Sequence, residues 1–441
     1  MIKRLLSGSA IIYATIFCLL ALLFAKNGLD MAIPMKGILL VAIAPAFFAS
    51  PTQMIAMALA FIPLGSGFQY KYALMAYVLI GIVRFGSQMH FSKLTFPLIV
   101  MILWEMLHVV VGEMEINELM RGFAEFVFLW FISCQKLKDL EIRVIARSLA
   151  IAVVGVCCIT MYMQTTLVMG DVSDVLSQGS DGSYRFGNNN NNEEELFSLV
   201  FNPNQLGFIC NLAIAALLVL MRLRKSTLID VVMLSLCVTF GSFTLSRTFL
   251  VCLAFLLISF ILLSTNSLRQ RIFYIILLTL LIGGVVWAID AFLPDVIKNF
   301  TARFEVEDLS NNRIDLFVFY NQHIFSTAEY CLFGIGLQNF GEKLIQLYNP
   351  DIEVCHNGFQ EAWVAWGLPG LVMVLWWLKQ LVAESRRWCL TKRYFSYLPL
   401  ILILLDMQAG QFIRSNTNML ALILAYAVLC IPSERFELKQ V

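Results

Sequence analysis

Residues 227–264 read TLIDVVMLSLCVTFGSFTLSRTFLVCLAFLLISFILLS. Two apolar runs, 227–245 and 248–264, meet at the pair Ser246–Arg247 with almost no loop between them. Each run has about the length a helix needs to cross a hydrocarbon layer ~30 Å thick. Inside such a layer an open chain satisfies its backbone polar groups only as a helix. The stretch therefore reads as two spanning helices joined by a tight, polar turn.

The same pattern continues in both directions. Apolar runs near 8–25, 36–50, 51–66, 70–84, 94–111, 121–133, 144–168, 197–221, 272–291, 358–379, 394–411 and 417–432 are separated by short polar or basic segments. With the first pair they give about 12–14 spans. Pro34, Pro51 and Pro63 sit at the edges of the second to fourth runs or interrupt them. The N-terminal MIKRLLSGSAIIYATIFCLLALLF mimics a signal peptide, but its apolar core is long and no small-residue cleavage site follows, so it reads as the first span. Over 441 residues, 59% hydrophobic and 14% charged content lies outside the soluble globular class. A mean hydropathy of +0.79 agrees. The expected fold class is all-α, a polytopic transmembrane helix bundle, with residues 1–441 forming one integral membrane domain.

Charge bounds the function. With 31 Lys+Arg against 30 Asp+Glu, the net charge of +1 excludes a strongly basic nucleic-acid binder. The Lys/Arg bias of short loops puts Lys3, Arg4, Arg84, Arg143, Arg147 and Lys225 on the cytoplasmic side, and both termini with them. Two long loops then fall on the outer face. The first, 169–196, carries DVSDVLSQGSDGSYRFGNNNNNEEE, too polar to bury a core, and is expected to be flexible. The second, 292–357, alternates polar and apolar residues at helical spacing and is expected to form a partly helical cap over the outer mouth. Eleven Cys show no metal-ligand spacing, and most lie inside apolar runs as small packing residues.

Candidate chemistry concentrates between Asn311 and Gly370, where RIDLF (313–317), GIGLQNF (334–340), HN (356–357) and GLPG (367–370) join a polar loop to an apolar helix. Of four His, at 90, 108, 323 and 356, His356 stands at the mouth of a span. It either caps that helix or, with an ordinary pKa near ~6.5, takes a proton from a hydroxyl. Arg247 either snorkels to headgroups or binds an anion. Arg313 either pairs with Asp315 or Glu307 or does the same. Two converging guanidiniums make a planar, permanent clamp for phosphate or diphosphate. Glu105, Glu125 and Asp406 fall inside spans and are expected to face the bundle interior or a wet cavity. Gly334 and Gly336 read as a turn, and Gly367 and Gly370 as positions of close helix packing. The competing class, a lipid-linked glycan flippase or transporter, needs a polar path through several helices, whereas the notable cations gather on one side.

These residues resemble a family. SR at a span end, R-x-D-L-F with GIGLQNF downstream, H-N-x9-G-x-x-G, and NPNQLG at 202–207 look like the O-antigen ligase/polymerase family of bacterial envelope glycosyltransferases. The resemblance covers roughly Asn202 to Gly370, in order. It implies a GT-C-like bundle in the bacterial cytoplasmic (inner) membrane with its site on the periplasmic face. The implied reaction moves a glycan from an undecaprenyl-diphosphate carrier to an acceptor hydroxyl, with inversion and without a metal or other cofactor. By position, His356 would be the general base, and Arg247 and Arg313 would hold the diphosphate and stabilise its departing charge. Arg185 in SYRFG reads as a third cation, Asn357 as orienting His356, and Asn204 as lining the mouth. The implied partners are the carrier-linked donor, a glycan or lipid-linked acceptor, membrane lipids and a chain-length regulator. The resemblance fits a surface-polysaccharide polymerase, with a ligase to lipid A-core as the alternative. Some glycosyltransferases of related architecture place a metal-binding carboxylate in the first outer loop, where Asp30 stands here.

Overall fold

The computed structural model describes residues 8–111, 116–135, 137, 141–165, 186, 203–223, 225–264, 313–336, 355, 357–388, 394–408 and 418–431, with scattered positions between 268 and 287. In chain order the helices are α1 (Gly8–Leu23), α2 (Met35–Ile43), α3 (Pro51–Leu64), α4 (Tyr70–Phe85), α5 (Thr95–Val111), α6 (Ile116–Ser133), α7 (Ile142–Met163) and α8 (Pro203–Arg222). They continue with α9 (Leu228–Phe243), α10 (Arg247–Ser264), α11 (Arg313–Ile324), α12 (Ala328–Phe333), α13 (Gly358–Trp388), α14 (Leu398–Asp406) and α15 (Asn418–Leu429). Among the described residues no strand is formed. The chain is an all-helical membrane bundle. Four helical stretches, Ser9–Gly28, Ile142–Met163, Pro203–Arg222 and Gly358–Ala383, are long and apolar enough to cross a membrane, and shorter apolar helices fill the places between.

The expected runs map onto these helices with shifts at their ends. The first continues past α1 as a π-turn, Phe24–Gly28. The second stops early as an α-helix because Pro45 tightens its end into a 3-10 turn, Ala44–Phe47. The thirteenth opens with a 3-10 turn, Tyr394–Tyr397, before α14. The run at 272–291 lies almost wholly outside the described residues, as do the loops 169–196, Phe186 aside, and 292–312.

Burial sorts the helices. Helix α3 is buried from Thr52 to Leu64 and α8 from Leu206 to Leu220. A helix apolar on every side is stable only when surrounded, and α3 packs along α7, which packs along α8, to form the centre. The peripheral helices carry the reverse pattern, with Leu40, Val83, Val110, Leu228 and Val251 exposed. In water such residues would cost ~25 cal/mol per Å²; against lipid they cost nothing comparable. Glu105, Glu125 and Asp406 are all buried in the bundle. Tyr70 hydrogen-bonds Glu125, and Lys71 approaches the same carboxylate at 3.9 Å.

Polar staples fix the helix ends. Ser50 and Gln53 form a reciprocal cap on α3, each accepting from the other's backbone N–H. Arg84, at the end of α4, donates to the carbonyls of Ala46 and Ala49 at 2.8 and 2.6 Å, satisfying groups the Pro45 turn leaves open. Arg147 on α7 grips the fully buried Asp230 through two bonds of 2.7 and 2.9 Å, while Asp230 accepts from the Thr227 N–H and caps α9. The ten described cysteines are free thiols, six of them buried, in keeping with a packing role.

Helix α13 departs from the simple span. Gly367 has φ +65° and ψ −166°, so the helix breaks there, and Pro369 follows two residues later. A proline has no N–H, so the carbonyl four residues earlier, Ala365, loses its helical donor. Residues 334–336 supply the missing groups: Ile335 N–H donates to Val364 O at 3.0 Å and Gly336 N–H to Ala365 O at 2.7 Å. The stub of chain after α12 is thus hydrogen-bonded into the break of α13.

Candidate functional site

One wall of the site is the α9–α10 turn. Thr244 Oγ1 donates to Gly241 O at 2.6 Å, Leu245 adopts a left-handed φ of +50°, and Ser246 Oγ accepts from Phe249 N–H at 3.3 Å. Ser246 is therefore the cap of α10, and Arg247 is its first helical residue, half-buried at the helix end. The NPNQLG segment packs against this turn. A Cβ added to Gly207 would lie 3.0 Å from Phe249 Cβ and 3.2 Å from Thr244 Oγ1, so α8 and the turn are in close contact here and a larger residue would have to push its neighbours back by a few tenths of an ångström. Asn211, one turn further along, donates from Nδ2 to Phe249 O at 3.0 Å. Asn204 thus starts a helix that abuts the Arg247 turn, and it too is half-buried. Phe186 is buried against Phe240 and Phe243 at the end of α9, stacked on the former at 5.8 Å.

The second element is the start of α13. Asn357 Oδ1 accepts from the N–H groups of Phe359 and Gln360, both at 3.1 Å, and caps the helix; its Nδ2 reaches Gln408 Oε1 at 3.4 Å. Gly358 N–H donates to Met407 O at 2.7 Å, tying α13 to the end of α14. Helix α14 packs in turn on α8 and α10. Cys252, a turn and a half into α10, lies within electrostatic reach of Asp406. Finally, Gln360 Nε2 donates to Phe317 O at 2.7 Å and Asn321 Oδ1 at 3.0 Å, docking α11 on α13. The first turns of α8, α10, α11 and α13 thereby share one end of the bundle.

Of the residues singled out in the sequence, Asn204 and Arg247 stand at the starts of the packed helices α8 and α10, and Asn357 caps α13. Arg313 is placed by its backbone, as the first residue of α11, one turn before Phe317. His356 and Arg185 lie outside the described residues, beside Asn357 and Phe186. Asp30 is exposed, in a left-handed conformation with φ +49° after the π-turn of α1.

Sequence reasoning passed over the tryptophans that lock this end. Trp366 Nε1 donates to Glu105 Oε2 at 2.6 Å, and Trp104 Nε1 donates to Trp366 O at 2.9 Å. That carbonyl sits beside the Gly367 break, where the regular ladder is interrupted. Trp104 also stacks on Phe333 at 6.1 Å and 10°, and Trp363 Nε1 donates to Cys331 O at 3.0 Å. Three indole N–H groups thus hold α12 and the break of α13 to α5. The available signal was Trp363 and Trp366 flanking GLPG, together with a lone Glu105 inside an apolar run. His323, on the inner side of the α11–α12 hairpin, is buried and stacked on Tyr330 at 4.6 Å. Burial pushes its pKa below the usual histidine value, so the ring is neutral near pH 7.

The fold defines a multi-pass membrane protein. Residues 231–375 match the family described as O-antigen ligase, a match that supports a role in O-antigen or surface-polysaccharide assembly. The match runs over about a third of the chain, from α9 into α13, and takes in Arg247, Arg313, His356 and Asn357. Comparison with curated protein sequences gives no match.

Proposed function

We propose that this chain is a glycosyltransferase of the bacterial cytoplasmic membrane that moves a glycan from undecaprenyl diphosphate to a sugar hydroxyl on the periplasmic face. The observation that carries this reading is that the Arg247 turn and the Asn357-capped start of α13, both inside the matched segment, are linked through α14, which lies beyond it. In the proposed step His356 takes the proton of the acceptor hydroxyl, whose oxygen attacks the anomeric carbon. The carbon–oxygen bond to the diphosphate breaks, and the anomeric centre inverts. Arg247 and Arg313 balance the charge on undecaprenyl diphosphate as it leaves, with Arg185 as a third cation. The diphosphate is a good leaving group, so positioned cations and a base suffice without a metal. Asn357, fixed by its capping bonds, orients its neighbour His356, and Asn204 lines the mouth.

The acceptor we favour is another carrier-linked unit, which makes the chain a polymerase, on the strength of the RIDLF and GIGLQNF segments. A second reading, ligation to lipid A-core, has the matched family's description in its favour. A flippase would leave the carrier–glycan bond intact. The test supplies carrier-linked repeat unit, extracted from cells lacking this gene, to the purified protein in lipid vesicles and follows release of undecaprenyl diphosphate. His356→Ala and Arg247→Ala are expected to abolish release while inserting normally. Full turnover in either variant removes that residue from the mechanism, and no release by the wild type overturns the reading. EDTA is expected to leave turnover unchanged; strict dependence on Mg²⁺ or Mn²⁺ would redirect attention to Asp30.

A further inference from the structure

Gln360 stands in the first turn of α13, four residues after His356 in the sequence, and is itself buried. Its amide is oriented without ambiguity: Phe317 O can only accept, so the atom 2.7 Å from it is the NH2 group. The second hydrogen of that group goes to Asn321 Oδ1 at 3.0 Å. Phe317 and Asn321 are successive turns of α11, so one side chain holds two points along that helix. Further contacts between the hairpin and α13, at Phe325, Cys331, Ile335 and Gly336, fall after the end of α11. Among the described residues the bonds of Gln360 are therefore the side-chain hydrogen bonds to α13 nearest to Arg313.

We propose that Gln360 is a positioning residue that sets the spacing between the helix starting at Arg313 and the α13 end that follows His356. This rests on the transfer reading above and adds a residue to it. The physical argument is leverage. Helix α11 is short, begins at Arg313 and is largely exposed along its outer face, at Ile314, Asp315, Phe317 and Val318. A guanidinium at its first residue is fixed relative to α13 only as well as the helix beneath it is fixed. Gln360 fixes it in the second and third turns with donors that neither a methionine nor a leucine supplies.

The test uses Gln360→Met, which keeps the length of the side chain and removes both donors, and Asn321→Ala, which removes one acceptor. Both are compared with wild type in vesicles, with the carrier-linked donor described above. Hydrogen exchange across 313–324 is expected to quicken in Gln360→Met, with exchange in α13 unchanged. The KM for the donor is expected to rise about tenfold, the scale of one or two net hydrogen bonds, while the KM for the acceptor stays put. Asn321→Ala is expected to fall between. A role in folding alone would lower kcat with both KM values unchanged, and that result overturns the proposal. So does faster exchange in α11 with unaltered kinetics, which would leave the transfer reading standing, and so does unaltered exchange. A wild type that transfers nothing overturns the transfer reading and this proposal together.

Discussion

Replacing Gly367 by alanine tests the hinge on which the site is built. A Cβ at this position falls 2.5 Å from the Leu332 carbonyl carbon and 2.7 Å from that of Phe333, both backbone atoms with nowhere to retreat. The conformation, φ +65° and ψ −166°, belongs to a region that is essentially glycine's, at roughly 1–3 kcal/mol for another residue. Pushing the Leu332–Gly336 chain away also loosens the bonds from Ile335 to Val364 and from Gly336 to Ala365, at roughly 0.5–1.5 kcal/mol each. The sum is roughly 2–6 kcal/mol, and a middle value near 4 raises the undocked population of the hairpin about a thousandfold. Amide hydrogen exchange across 328–336 in lipid nanodiscs reads this directly. The control is Gly37→Ala, where the nearest atom outside the local backbone is Pro34 Cγ at 3.7 Å and a helical alanine should be neutral or mildly stabilising. Gly367→Ala with wild-type exchange in 328–336 and an unshifted melting temperature would refute the account of the break as a docking joint.

Two further outcomes concern stability. Arg147→Met is expected to cost about 3 kcal/mol, the low end for breaking a buried pair, because Arg147 keeps 21% exposure while Asp230 has none and would be left without its partner; a melting temperature within a degree of wild type would contradict this. The pKa of His323 is lowered by burial, so its unfolded form binds the proton first as pH falls, and the hairpin's full stability is present above the unfolded value near ~6.5 and is lost below it. Protection factors across 313–333, corrected for the slower base-catalysed intrinsic exchange at low pH, are therefore expected to fall from pH 7.5 to pH 5.5, and His323→Leu to abolish most of that slope; an unchanged slope in the variant would move the effect to another group.

The helical bundle was legible in the sequence because a bilayer leaves few choices. Runs such as 142–163 and 203–222 can satisfy their backbones only as helices, and hydropathy marks them whatever they pack against. The turn at Ser246 was legible for the same reason, as polar residues between two spans. What hydropathy does not encode is which apolar face meets which. That α3, α7 and α8 are the enclosed helices, while equally apolar α1 and α9 face lipid, follows from packing. GLPG looked like a close-packing motif, and Gly367 does admit a near neighbour, but the neighbour is the carbonyl chain of Leu332, thirty-five residues earlier. Pro369 removes a donor at a known position, yet only the folded chain decides that Gly336 replaces it. Gln360 and Trp366 were invisible as site residues because their partners, Phe317, Asn321 and Glu105, are brought to them by contacts between helices far apart in sequence. Composition and periodicity determined the solvent and the spans; the docking of α11 on α13 was decided by hydrogen bonds, and the approach of α10 by its packing on α14, neither of which exists until the helices have packed.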